Sequence, residues 1–168
     1  MLKITTATFV TLARHSNIVG CKLSHGDVSH HIQIAANPSI DASKFHVFTG
    51  FGQQLWPVVA AGAAGAIDGS AGFFPKSLVR LYSLSTKDQV TESEVKERRQ
   101  LQFKVSSMEE IVIKFGIVGI KEAISRLRGF GDKNGTRLPL HGGLPGGEGE
   151  WENWKQIMDA MEEVENSL

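Results

Sequence analysis

The sequence predicts an α/β protein: about three parallel strands, each followed by a helix, and then a helical extension. Three observations carry this reading. Short apolar runs alternate with amphipathic stretches through roughly the first half of the chain, a repeated β–turn–α grammar typical of parallel sheets. Glycines and other small residues stand where each run ends. Beyond residue 90 the pattern becomes helical and charged.

Residues 5–14 can form a short helix with Phe9, Val10 and Leu12 on its apolar side. Residues 17–22 give the first strand, and Ser24-His25-Gly26-Asp27 reads as a loop entering a helix over 28–37 that breaks before Pro38. A second strand is expected at 45–49, followed by Gly50-Phe51-Gly52 and a helix over 53–61. Residues 65–67 give a third, short strand. After Asp68-Gly69-Ser70-Ala71-Gly72, Pro75 suits the first turn of a helix whose Leu78, Val79, Leu81 and Leu84 cover a core.

Residues 91–105 and 106–127 are expected as two helices, the second interrupted near Gly116 and Gly119. Glu92, Glu94, Glu97, Arg98 and Arg99 form a mixed polar face suited to local pairing. Residues 1–90 are thus expected to hold the strands, with 91–141 as a helical region packed on them. Residues 142–149, rich in Gly and Pro, read as a linker before an acidic terminal helix over 150–168, which Trp151 and Trp154 can dock.

The chain has 168 residues, 18 of them basic and 18 acidic. One domain is the economical reading of that length. The balanced charge offers no electrostatic case for nucleic acid, and no apolar run is long enough to span a bilayer. The lone Cys21 excludes an internal disulfide framework. The first residues lack a secretory core and cleavage pattern, so the expected location is the cytoplasm, or an organelle if the N-terminus is incomplete.

Lys22 is the leading chemical candidate because it closes the first strand. As a neutral amine, favoured by apolar surroundings, it can condense with a ketone to an imine that acts as an electron sink. From the local pattern alone an ordinary structural lysine stays open beside that reading. His25, His30 and His31, with Asp27, do not have zinc-site spacing, so surface or helix-packing roles come first, ahead of acid–base work and metal binding. Cys21 should face away from Lys22 on a strand. The Gly-rich stretch after Ala61 fits neither a dinucleotide fingerprint nor a P-loop, so no cofactor and no metal is expected. Lys76, Arg80 and Lys121 read as surface residues of outer helices. Asp68 reads as turn support or a substrate contact.

Residues 16–80 resemble the C-terminal strands of the dihydrodipicolinate synthase/N-acetylneuraminate lyase family. Within it they are most similar to fungal proteins related to 4-hydroxy-2-oxoglutarate and 2-keto-3-deoxy sugar acid aldolases. The resemblance rests on Asn17-Ile18-Val19-Gly20-Cys21-Lys22-Leu23-Ser24, then Phe48-Thr49-Gly50, then Gly62-Ala63-Ala64-Gly65-Ala66-Ile67. Ile120-Lys121-Glu122-Ala123 and Arg137-Leu138-Pro139-Leu140 resemble the family's C-terminal helical region and closing sequence.

The resemblance implies the C-terminal portion of a TIM (β/α)8 barrel and a class I, pyruvate-type aldolase or lyase. Lys22 would correspond to the Schiff-base lysine, Gly50 to the substrate-side glycine after the next strand, and Ile67 to the residue whose backbone lines the keto-acid pocket. Ser24 lies where it can hydrogen-bond near the imine or cap its loop. The implied partner is pyruvate or a related 2-oxo acid. The family's first five strands, with its carboxylate-binding loop and proton-transfer tyrosine, would precede this region, and Tyr82 does not match that tyrosine. The alternative is therefore a truncated, inactive relative serving as a structural, oligomerising or keto-acid-binding protein, with a homo-oligomer covering the open sheet.

Overall fold

The computed structural model describes residues 4–168. Helix α1 (Thr6–Leu12) starts at Thr5, whose hydroxyl accepts from the Thr8 N–H. Strand β1 (Gly20–Leu23) leads through Asp27, the side-chain cap, into α2 (Val28–Ala35). Strand β2 (His46–Thr49) is followed by a 3-10 turn (Gly52–Gln54) and α3 (Leu55–Ala60). Strand β3 (Gly65–Ala66) passes through a second 3-10 turn (Ser70–Gly72) into α4 (Pro75–Thr86), with proline in its first turn as expected. Two long helices finish the chain, α5 (Glu92–Arg128) and α6 (Gly147–Ser167).

The strands form one parallel sheet in the order β1-β2-β3. Register places Lys22 beside Phe48, and Phe48 beside Gly65, in one row across the sheet. Alternation then sends Cys21 and Leu23 to the opposite face. There they join Phe9, Ile34, Phe45, Val47 and Val58 in an apolar layer under α1, α2 and α3. Gly20 is where β1 and β2 approach too closely for a side chain, since a Cβ there would lie 2.3 Å from the His46 carbonyl oxygen. Among the described residues β1 and β3 each pair only with β2, so both outer edges of the sheet are unpaired.

A larger core joins α3 and α4 to α5 and α6 through Phe73, Phe74, Leu81, Val105, Met108 and Met161. The expected boundary between residues 105 and 106 does not occur. Leu101, Val105, Met108 and Ile111 make one buried stripe that crosses it, and the helix is interrupted at Gly116 (φ 56°, ψ −135°), where the glycine pattern placed a break. A capping box between Thr91 and Glu94 starts α5, and Gly129 in the left-handed region ends it. Helix α6 begins at Gly147, inside the stretch expected as linker, and Trp151 is buried as its periodicity suggests.

The last helix is fixed by a buried carboxylate. Glu165 accepts from the Lys76 N–H at 2.9 Å and from the Ser77 N–H and hydroxyl at 2.8 and 2.7 Å. It thereby satisfies amides that a helix N-terminus otherwise leaves without partners, at the positive end of the α4 dipole. Arg128 reinforces the joint with a two-pronged pair to Glu162 and a bond to the Phe73 carbonyl.

Two stability outcomes follow and are read by urea unfolding. Glu165→Ala is expected to cost about 2–4 kcal/mol, because it strands three buried donors, while Glu165→Gln keeps part of the array and costs less. Gly20→Ala is expected to cost roughly 2–3 kcal/mol by forcing β1 away from β2.

Candidate active site

The site is built at the C-terminal ends of the strands, where short turns bring side chains of distant sequence together. Lys22 is exposed on β1, one residue before the strand ends at Leu23. Among the described residues its ammonium makes no hydrogen bond or ion pair. With Ser24, His25, Asp27 and His30 it borders a cleft of about 570 Å3 at the open edge of β1, whose apolar wall includes Ile4, Phe9, Cys21 and Leu23.

Ser24 and Gly50 meet directly. A Cβ at Gly50 would lie 2.3 Å from the Ser24 hydroxyl and 2.9 Å from its Cα, so glycine here is a steric requirement of the β1 and β2 exits. The Gly50 N–H donates to the Leu23 carbonyl at 2.7 Å, and the Ile67 N–H donates to the Thr49 carbonyl at 2.8 Å. Three successive exits are therefore laced by backbone bonds. Ile67 follows β3 and its side chain is 53% exposed; it does not border the Lys22 cleft. Tyr82 lies elsewhere, on α4, beside a second cleft of about 390 Å3 bordered by Phe48, Gly65 and Asp68.

Several residues that organise this end were not singled out by sequence. The buried Thr49 hydroxyl donates to Gln54 Oε1 at 2.8 Å, and Gln54 Nε2 donates to the His25 carbonyl at 3.1 Å. That chain ties the β2 exit to the β1 loop. Gln102 of α5 accepts from the Trp56 N–H and donates to the Gly52 carbonyl. Glu109, fully buried on α5, accepts from the Gly52 and Gln53 N–H groups at 2.9 and 2.6 Å, and its Oε1 lies 2.8 Å from the Ser70 hydroxyl oxygen. Burial first, then the Asp68 charge, push its carboxyl up to about 7, against three donors that favour the ionised form. Its one sequence signal is position, since residue 109 falls on the apolar stripe of α5.

The histidines serve packing and loop geometry. His31 is buried, with Nδ1 2.8 Å from the Asp27 carbonyl and Nε2 3.2 Å from that of Leu23, which braces α2 against the end of β1. The Asp27 N–H donates to His25 Nδ1, so the neutral His25 ring carries its proton on Nε2, 3.1 Å from His30 Nδ1. Among the described residues no group of three or more His, Cys, Asp or Glu side chains is placed to hold a metal ion. Burial pushes the Cys21 thiol up to about 11, which keeps it protonated, although Cys21 borders the same cleft as Lys22. Asp68 caps its own turn through the Ser70 hydroxyl and the Ala71 N–H. Arg80 is held by Glu97, and Lys121 by the Gly135 carbonyl. No helix among the described residues is long and apolar enough to cross a membrane.

The chain is similar to named aldolases and to solved structures of one fold. It is 28% identical over 132 residues to a probable mitochondrial 4-hydroxy-2-oxoglutarate aldolase of Emericella nidulans, covering 79% of this chain and 40% of that protein. It is 28% identical over 127 residues to the L-threo-3-deoxy-hexylosonate aldolase of Hypocrea jecorina, covering 73% and 39%. The chain thus spans less than half the length of these curated relatives. A dihydrodipicolinate synthase family protein of Coccidioides immitis superposes with a TM-score of 0.76 at 23% identity, over 98% of this chain and 53% of that one. The dihydrodipicolinate synthase of Acinetobacter baumannii, solved with pyruvate, gives 0.75 at 25% identity over 94% and 50%. Three parallel strands with their helices, matched to about half of such chains, are the expected partial α/β barrel followed by C-terminal helices. The profile of the dihydrodipicolinate synthetase family matches residues 1–144, and the chain belongs to that family.

Proposed function

We propose that this chain contributes the nucleophilic lysine of a Schiff-base aldolase or lyase acting on pyruvate and hydroxy-keto acids. The observation that carries the reading is the placement of Lys22 on the sheet face at the strand exits, beside a cleft and without an anionic partner among the described residues. The neutral Nζ adds to C2 of pyruvate, the carbinolamine loses water, and the resulting iminium draws electrons from C3. Loss of a C3 proton gives an enamine that adds to an aldehyde; the reverse sequence cleaves a hydroxy-keto acid.

Ser24 borders the cleft, and Gly50 sits directly behind it. A missing side chain at Gly50 leaves room for the Ser24 hydroxyl, which is positioned to donate to a substrate oxygen. Ile67 offers backbone to the same end of the sheet. The Ser24-to-Gly50 contact therefore fixes where a bound keto acid sits relative to the amine, and geometry of this kind governs rate steeply.

A second reading is favoured by the unpaired sheet edges and the exposure of Lys22. In it the chain is a catalytically silent family member that binds keto acids or forms oligomers through the open sheet. Water reaches an exposed amine and opposes the dehydration that forms the imine.

Incubation with pyruvate, borohydride reduction and intact mass distinguish the two. One reduced pyruvate adduct is expected, located at Lys22 by peptide mapping and absent in Lys22→Met; an unmodified mass supports the silent reading. Gly50→Ala is expected to slow adduct formation about tenfold by displacing Ser24, and Ser24→Gly in the same chain to restore part of the rate.

A further inference from the structure

The Ser70 hydroxyl lies 2.6 Å from Asp68 Oδ1 and 2.8 Å from Glu109 Oε1. A hydroxyl has one hydrogen to give, so it cannot donate to two carboxylates at once. If both acids are ionised, one of these short oxygen–oxygen contacts holds no proton and two negative charges face each other. One added proton closes the array: Glu109 donates to Ser70 Oγ, and Ser70 donates to Asp68. Burial places that proton on Glu109, which is fully enclosed, while Asp68 is only partly covered.

The surroundings supply no counter-charge. Among the described residues neither carboxylate makes an ion pair. The Gly52–Gln54 turn presents only N–H groups to Glu109, and α4 and α5 present Leu78 and Val105 to Gly52. Asp68 is the facing charged group, with Oδ2 only 3.2 Å from where a Gly52 side chain would begin. Glu109 also hydrogen-bonds the turns after both β2 and β3, tying the two to α5.

We propose that Asp68, Ser70 and Glu109 share a single proton that fastens the exit turns of β2 and β3 to α5, and that losing this proton loosens both turns. The sign is fixed by the direction of the Glu109 shift, up to about 7 from an ordinary value of 4.5. The folded protein holds the proton where the unfolded chain has released it. Stability from this group therefore declines as pH rises between those two values and is level above the upper one. The turns are fastened in mild acid and loosened in mild base, which makes the mouth of the barrel pH-sensitive.

The test is a carboxyl-carbon NMR titration of the glutamate-labelled protein, with amide exchange of Gly52, Gln53 and Ala71 followed over the same pH range. Glu109 is expected to titrate near neutrality. Protection of those amides, corrected for the intrinsic pH dependence of exchange, should fall about tenfold through its midpoint. Glu109→Gln, which cannot lose the proton, should hold protection level. Asp68→Asn removes the opposing charge and should move the Glu109 midpoint down. An ordinary carboxylate midpoint, or the same fall in protection in Glu109→Gln, would overturn the proposal. Should Glu109→Gln not fold, an unmoved midpoint in Asp68→Asn overturns it equally.

Discussion

Glu109 reaches from the long helix α5 into the turns that follow β2 and β3, and the shape of the whole strand-exit end depends on it. Strands of four, four and two residues bury too little by themselves to hold a parallel sheet in place. The α5 carboxylate binds two backbone N–H groups of one turn and the hydroxyl of the next, so a single side chain sets both turns relative to one helix. Gln102, two turns earlier on α5, grips the first turn again at Trp56 and Gly52. The sheet is thus positioned from outside by helices at least as much as by its own ladder.

The same device recurs at the other end of the helical layer. Glu165 of α6 fastens onto the first turn of α4, and the apolar cluster around Phe73, Phe74 and Met161 fills the space between. Both joints are buried carboxylates meeting backbone amides, which cost much to break because the amides would be left without partners. The helices beyond the last strand therefore serve as a clamp on the barrel portion. Lys22 lies on β1, one of the two strands with an unpaired edge, and β1 is tied to the other exits through the lacing of Leu23, Gly50, Thr49 and Ile67.

Much of this was legible in the sequence where local chemistry decides. The three strands, the cap of α2 and the proline that opens α4 follow from patterns a few residues long. Lys22 was marked by its place at a strand end, Ser24 and Gly50 only through the family resemblance, and the structure sets Ser24 against Gly50. The first strand starts later than expected because Ile18 donates back to His15 in a turn. The interruption near Gly116 was legible from its glycine, but the boundary expected between residues 105 and 106 was not there, because the apolar stripe continues unbroken past residue 105. Glu109 was not legible at all: beside Glu110 it looks like a solvated face, and its partners lie 57, 56 and 39 residues away. Long-range polar contacts leave no local signature beyond a charged residue on an apolar stripe.

The central claim is that α5, through Glu109, holds the strand exits in register independently of the rest of the helical layer. Native-state hydrogen exchange on Glu109→Ala and Glu165→Ala tests this most directly, reading the amides of Gly50 and Ile67, which bridge the exits. The account requires those amides to lose protection selectively in Glu109→Ala while the Lys76 and Ser77 amides stay protected, and the converse in Glu165→Ala. Equal loss at both places in either variant, or no loss at Gly50 and Ile67 without Glu109, would contradict it.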